Sequence, residues 1–486
     1  MPYALHICVI KPTMFGEQAK DALAPLLFAI LKPLTPSDVR LTFIDENLVG
    51  AQSCIACDAV AITIDTFTAR RGYALAADYR TQGIPVIFGG FHASLCPDEV
   101  AQHGDAVVIG DAEDTWGAVV EDLRNGALKA RYVSSNDASL DEVRYDYSVY
   151  NEITTSGFMK TLTQLSFAGL TGESKTNSAD VVIDSPVKPA NDNKFLRSLT
   201  TGKRAKYQPL GMVQFSRGCR FTCDFCSIHA FYRKSIRTRS AAAVVETIGQ
   251  LPSKVLFFTD DNLFCDPGSL DELLAALAPL KRRWVCQISM EVAADPTLLA
   301  RLKNSGCIMV LMGFESLSVE SLQQMGKRAN LVADYEEVIA NIRRAGLMLY
   351  GTFIIGYDAD TAATAEALAA FAKKHGFALA NFNPLIPTPG TALYARLEKE
   401  GRLLFEHWWN DPSYCYGDTA FTPAKMTPQQ LAESCRMARY EFYSLRGILL
   451  RLRGVNLKGL AYIGIFLLAN LVSRASIRHK QGRRLG

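Results

Sequence analysis

Apolar positions in the first 130 residues come in short, nearly unbroken runs, at residues 4–10, 39–44, 59–64, 85–88 and 106–109. Runs of that length without alternation predict strands buried on both faces, as in a parallel sheet. Residues 18–31 and 68–82 carry helical spacing, and Gly83 followed by Pro85 ends the second of these helices. The order predicts an α/β unit over residues 1–130, a doubly wound, Rossmann-like parallel sheet of about five strands. Such sheets hold ligands beyond the carboxyl ends of their strands. Those ends carry residues 11–16, residues 65–68, Gly89-Gly90-Phe91-His92 and Gly110-Asp111.

The pattern lapses over residues 131–208, which are polar and rich in Pro, Gly, Asn and Ser, and predict a connector with a mobile insert. Alternation returns at 209–395, with strands predicted at 212–215, 255–258, 285–289, 308–314, 349–355 and 379–385. Helices are predicted at 241–250, 270–280, 296–304, 319–325, 335–345 and 361–375. Six β/α units predict a partial (β/α)6 TIM-type barrel with its chemistry at the strand carboxyl ends. Residues 396–486 form a helical C-terminal extension. Within it, the aromatic stretch 405–416 is expected either to line a substrate pocket or to pack as ordinary core, and His407 and Cys415 are its candidates for catalysis.

The chain has 486 residues, 49% apolar and 21% charged, with a net charge of +3. That balance fits a multi-domain globular protein and gives no reason to expect nucleic acid as a partner. Twelve cysteines with no basic-then-apolar start point to a reducing, cytoplasmic setting in which thiols serve metals. From Leu445 to Gly486 there are nine Lys or Arg and no Asp or Glu, around an apolar-rich stretch at 459–472. This stretch is shorter than the roughly twenty residues a spanning helix needs. Two readings stay open for it, a peripheral membrane anchor and a helix packed on its own barrel.

Three cysteines, Cys219, Cys223 and Cys226, fall within eight residues just after the first barrel strand. Thiolates are the protein ligands of iron–sulfur clusters, and three of them leave one iron of a [4Fe–4S] cube open. Zinc would need a fourth ligand, for which His229 is at hand. Arg217 and Arg220 flank Cys219; they either favour the reduced cluster through their charge or are solvated loop residues. Cys54 and Cys57 precede a strand and read as buried thiols.

The Cys-x-x-x-Cys-x-x-Cys spacing with Phe225 before the last cysteine resembles the signature of the radical S-adenosylmethionine (SAM) superfamily. The resemblance implies that SAM chelates the open iron and that one electron splits it into methionine and a 5′-deoxyadenosyl radical. It also implies a reductant such as flavodoxin or ferredoxin. On this resemblance Asp260 or Asp261 binds the amino group of SAM, unless they only cap a helix, and Glu315 binds its ribose. Gly351 and Gly356 admit adenine, and the segment beginning at Asn383 closes the barrel.

Residues 86–93 and 104–113 resemble the cobalamin-binding domain of a subgroup of that superfamily, which implies that Gly89, Gly90, His92 and Gly110 approach cobalamin. The loop after the first strand, residues 11–16, lacks the histidine that some such domains use on cobalt. The combined resemblance implies a small-molecule substrate, a lipid or another hydrophobic compound among the options, methylated at an unactivated carbon. Each turnover would consume two SAM molecules. Radical cyclisation, oxidation or carbon–carbon coupling, a methylthiotransferase, and a non-catalytic metal-binding module are the alternatives.

Overall fold

The computed structural model describes residues 5–19, 21–52, 54–151, 206–233, 235–264, 266–452 and 460–485. Most of the predicted insert lies outside them.

The N-terminal unit is a parallel sheet of strands β1 (Leu5–Lys11), β2 (Val39–Asp45), β3 (Ala59–Thr63), β4 (Val86–Gly89), β5 (Ala106–Ile109) and β6 (Arg131–Val133), in the order β2-β1-β3-β4-β5-β6. Strand β6, only three residues long and buried at Tyr132 alone, extends the sheet past residue 130. Its exposed Arg131 and Val133 give it no apolar run. The first helix occupies Leu26–Leu34, whereas helical spacing predicts a start at residue 18. Pro25 explains the shift, because proline pushes the residue before it out of helical conformation.

The second sheet is also parallel, formed by β7 (Leu210–Val213), β10 (Val255–Phe258), β11 (Arg283–Gln287), β12 (Cys307–Glu315), β13 (Met348–Ile355) and β14 (Leu379–Pro384) in chain order. Helices follow the strands, as at Ala241–Gly249, Pro296–Asn304, Tyr335–Arg344 and Thr364–Lys374. Asp295 and Asp334 accept hydrogen bonds from the first free amides of the helices they precede, the usual N-cap arrangement. This is the six-unit partial barrel. A small antiparallel pair, β8 (Ser216–Arg217) with β9 (Arg237–Thr238), closes the base of the cysteine loop.

One apolar core runs from under the N-terminal sheet into the barrel. A second core fills the other face of that sheet and takes in Trp408, Trp409 and Tyr414. The aromatic stretch therefore packs as core, with Phe67 and Trp408 5.3 Å apart. The tail helix Leu460–Lys480 buries Phe466 against Ile308, Met309 and Met348, at the end of the barrel where its strands begin. No helix among the described residues is long and apolar enough to cross a membrane.

Candidate active site

The cysteine loop is held at its base by backbone. Gly218 has φ +90, and a side chain there would meet the Ser235 carbonyl oxygen at 2.0 Å, so glycine is required. Asp260, at the end of β10, accepts hydrogen bonds from the Phe215 amide (3.1 Å) and the Ser216 hydroxyl (2.6 Å), and a further one from the Ser216 amide. Both of its oxygens are therefore committed to the loop. Burial raises its carboxyl to about 6.

Beyond the loop lies a cavity of about 210 Å³ walled by Cys219, Cys223 and Cys226 together with Asp261, Asn262, Ser289, Gly313, Glu315 and Lys327. Burial raises the Cys223 thiol to about 11 and the Asp261 carboxyl to about 7. Lys327 pairs with Glu315 at 3.0 Å. Burial opposes the charge on Lys327, but the Glu315 carboxylate beside it outweighs burial and holds its pKa above the usual value. Two atoms of this wall, Asn262 Nδ2 and Ser289 Oγ, are buried with no hydrogen-bond partner. Buried polar atoms are rarely left so; here they face a cavity able to hold a polar ligand.

The three thiols do not converge as ligands of a single ion would. Among the described residues the only ligand group whose atoms all lie within 4.8 Å of one another is His92, Cys96 and Glu99, elsewhere in the fold. His229 lies outside the cavity wall. The wider spread suits a cluster, whose irons are separate ligand points, better than tetrahedral zinc.

A second cavity, about 270 Å³, opens at the carboxyl edge of the N-terminal sheet. Val9, Leu27, Ile30 and Trp116 give it an apolar floor, and Gly89, Gly90 and Gly110 line it at the strand ends. Gly90 and Gly110 have φ +98 and +89, and a side chain at Gly90 would strike the Ile64 carbonyl at 2.7 Å. Those two glycines answer to the backbone, whereas a Cβ at Gly89 would meet only Val108, at 3.8 Å. The cysteine segment contributes part of the wall through Arg217, Phe231 and Tyr232.

Several expected residues lie elsewhere. His92 is fully buried outside this cavity, with Nε2 3.2 Å from the Tyr73 hydroxyl and 3.7 Å from Glu99. Gly351 makes room for core: a Cβ there would meet Phe377 at 2.4 Å. Gly356 does likewise against Leu431, at 2.9 Å. Asn383, half-buried beside Ile354, is outside the cysteine cavity. His407 is exposed, stacked on Trp409, and Cys415 bridges to Arg484; neither lines either cavity. Arg217 is buried, not solvated, whereas Arg220 pairs with Glu291 at the surface. Lys327, Asn262 and Ser289 were not among the expected residues. Lys327 follows a helix and Gly326, where a lysine reads as a partner of the helix dipole.

Residues 213–372 match the Radical SAM superfamily. This chain carries a radical SAM domain. The cofactors of such a domain are a [4Fe–4S] cluster and SAM, and the cysteine cavity lies on its loop and strand ends. The radical SAM chain is 27% identical over 453 residues to bacteriochlorophyllide d C-12(1)-methyltransferase of Chlorobaculum tepidum, covering 91% of this chain and 88% of that protein. It is 26% identical over 391 residues to the hopanoid C-2 methylase of Rhodopseudomonas palustris, covering 78% and 64% respectively. Its fold resembles the radical SAM methyltransferase TsrM from Kitasatospora setae, with a TM-score of 0.58, 14% identity, and coverage of 89% and 82%.

Proposed function

We propose that this radical SAM protein is a cobalamin-dependent enzyme that methylates an unactivated carbon of an apolar small molecule. One observation carries the proposal: the segment from Arg217 to Tyr232, which contains all three cysteines, forms a wall of both cavities. Two sites that share a wall suit two cofactors that must act on one carbon. In this reading Cys219, Cys223 and Cys226 hold the cluster, and the apolar cavity with Gly89, Gly90 and Gly110 takes cobalamin. Among the described residues no histidine lines that cavity, so the corrin would be held by packing and backbone.

When bound, the cluster supplies the electron that splits SAM and methylcobalamin supplies the methyl group. The chain's own contribution is orientation. Lys327 suits a carboxylate and Asp261 an ammonium, each through a charge-assisted bond, while Asn262 and Ser289 offer their unpaired atoms to the same ligand. Glu315 serves either the ribose or Lys327. The relatives named for bacteriochlorophyllide and hopanoid methylation support a hydrophobic substrate, with a small electron carrier as reductant.

Peripheral membrane contact belongs to the same proposal. Gly464, Leu468, Leu471, Ala475 and Arg478 are exposed at helical spacing along one face of the tail helix. An exposed apolar face ending in cations suits an anionic lipid surface. Cosedimentation of the full chain with anionic vesicles tests it; unchanged binding after Leu468→Ser and Leu471→Ser would refute it.

For the reaction, anaerobically purified chain given cobalamin is expected to show corrinoid absorption, and to form both 5′-deoxyadenosine and S-adenosylhomocysteine from SAM. SAM cleavage without corrinoid binding would overturn methyl transfer in favour of radical cyclisation or oxidation.

A further inference from the structure

The wall shared by the two cavities is fastened to the N-terminal sheet at both of its ends. Before the cysteines, Arg217 is only 5% exposed and places its guanidinium 2.9 Å from Asp111 and 2.5 Å from Glu113. Its Nε donates to Gln214 at 2.8 Å. Asp111 also receives Arg237, which lies opposite Arg217 in the β8–β9 pair. After the cysteines, Phe231 stacks on Phe91 with ring centres 4.4 Å apart. Asp111 and Glu113 follow β5, and Phe91 follows β4, at the rim of the apolar cavity.

Two arginines against two carboxylates leave no unmatched charge, so this is not an anion site. A buried ion pair also adds little net stability over apolar packing of the same volume. What a forked guanidinium on carboxylates does provide is a fixed orientation. Among the described residues no other ion pair connects the cysteine loop to the rim of the second cavity.

We propose that Arg217, held by Asp111 and Glu113, is a positioning residue that sets the cysteine loop against the apolar cavity, so that a corrinoid filling that cavity changes SAM affinity at the cluster site. The inference rests on the cofactor assignment above. Coupling between two sites is reciprocal and is measured as a ratio of affinities.

The test uses the full chain with its cluster reconstituted. The SAM dissociation constant is measured with and without saturating hydroxocobalamin, in the wild type, Arg217→Lys and Glu113→Gln. Each ratio is taken within one protein, so general weakening of a variant cancels. The wild type is expected to bind SAM at least about fivefold more tightly with corrinoid, within the usual range of coupled sites. Both variants should bring that factor below about twofold. An unchanged factor in both variants, or a wild type that binds corrinoid without coupling, overturns the clasp while leaving the cofactor assignment intact. A wild type with no corrinoid absorption overturns the assignment and the clasp together. If Arg217→Lys fails to fold, the isosteric Glu113→Gln decides alone; loss of the cluster from both means the clasp builds the loop and does not couple the sites.

Discussion

Alanine at Gly218 isolates the link between one backbone conformation and the cluster. With φ +90, the position lies where an L-residue costs about 1–2 kcal/mol in backbone energy alone. The added methyl would lie 2.0 Å from the Ser235 carbonyl oxygen, and real Cβ contacts essentially never fall below 3.0 Å. The difference, 3.0 minus 2.0, requires the loop to move by about 1 Å, whereas a metal site tolerates about 0.2 Å in its ligand distances. Ser235 cannot simply retreat, because its amide is bonded to Tyr232 and its chain runs directly into β9. The displacement therefore reaches Cys219, the next residue. The assay is iron and sulfide content after anaerobic reconstitution, followed by 5′-deoxyadenosine formation. Gly218→Ala is expected to lose most of its bound iron and roughly 100-fold in SAM cleavage, the scale of a 1 Å misplacement. Gly83 supplies the control: its φ is +72 but nothing lies within 4 Å of its Cβ position. Gly83→Ala should cost only the backbone term, about 1–2 kcal/mol in urea unfolding, and keep the cluster. A Gly218→Ala protein with full iron and wild-type SAM cleavage would refute the reasoning.

Asp260→Asn should turn a buried NH2 toward the Phe215 and Ser216 donors, costing about 1–3 kcal/mol and lowering iron loading; urea curves that superpose on the wild type would count against it. Lys327→Met strands the buried Glu315 carboxylate. Because the lysine side chain is 21% exposed, the loss is discounted from the buried-pair range to about 1–3 kcal/mol, with SAM binding weakened at least about tenfold; unaltered SAM affinity by equilibrium dialysis would remove Lys327 from the site. The pH profile of the cluster-free protein follows from Asp260 and Asp261, raised by burial to about 6 and about 7. Folded carboxyls keep their protons while unfolded ones, at about 3.9, have lost them. Their contribution to stability is therefore present below about pH 4, is lost as pH rises through about 6 and 7, and is level above that. Urea midpoints across this window should show a falling component that shrinks in Asp260→Asn.

The local pattern alone determined most of the architecture. Apolar runs marked strands to within a few residues, since Ala106–Ile109 and Val255–Phe258 coincide with their elements and the other predicted strands shift by only a few positions. Burial on both faces of a parallel strand writes itself directly into composition. The cysteine loop was equally legible, because its three ligands are neighbours in the chain. Strand β6 was not, since only Tyr132 of its three residues is buried.

What only the tertiary structure decided is which way side chains point and what they meet across long separations. Arg217 reads as a loop arginine until Asp111 and Glu113 arrive from more than 100 residues away. Of the two neighbouring aspartates, Asp260 turns to the loop backbone and Asp261 to the cavity. Gly351 keeps its place for Phe377, and His92 faces Tyr73 and Glu99 away from either cavity. Lys327 enters the site only because the segment after β12 folds back over the cysteines. Periodicity records burial one residue at a time; the partner of a buried charge is chosen by how sheets, loops and domains pack, and no local run of sequence carries that choice.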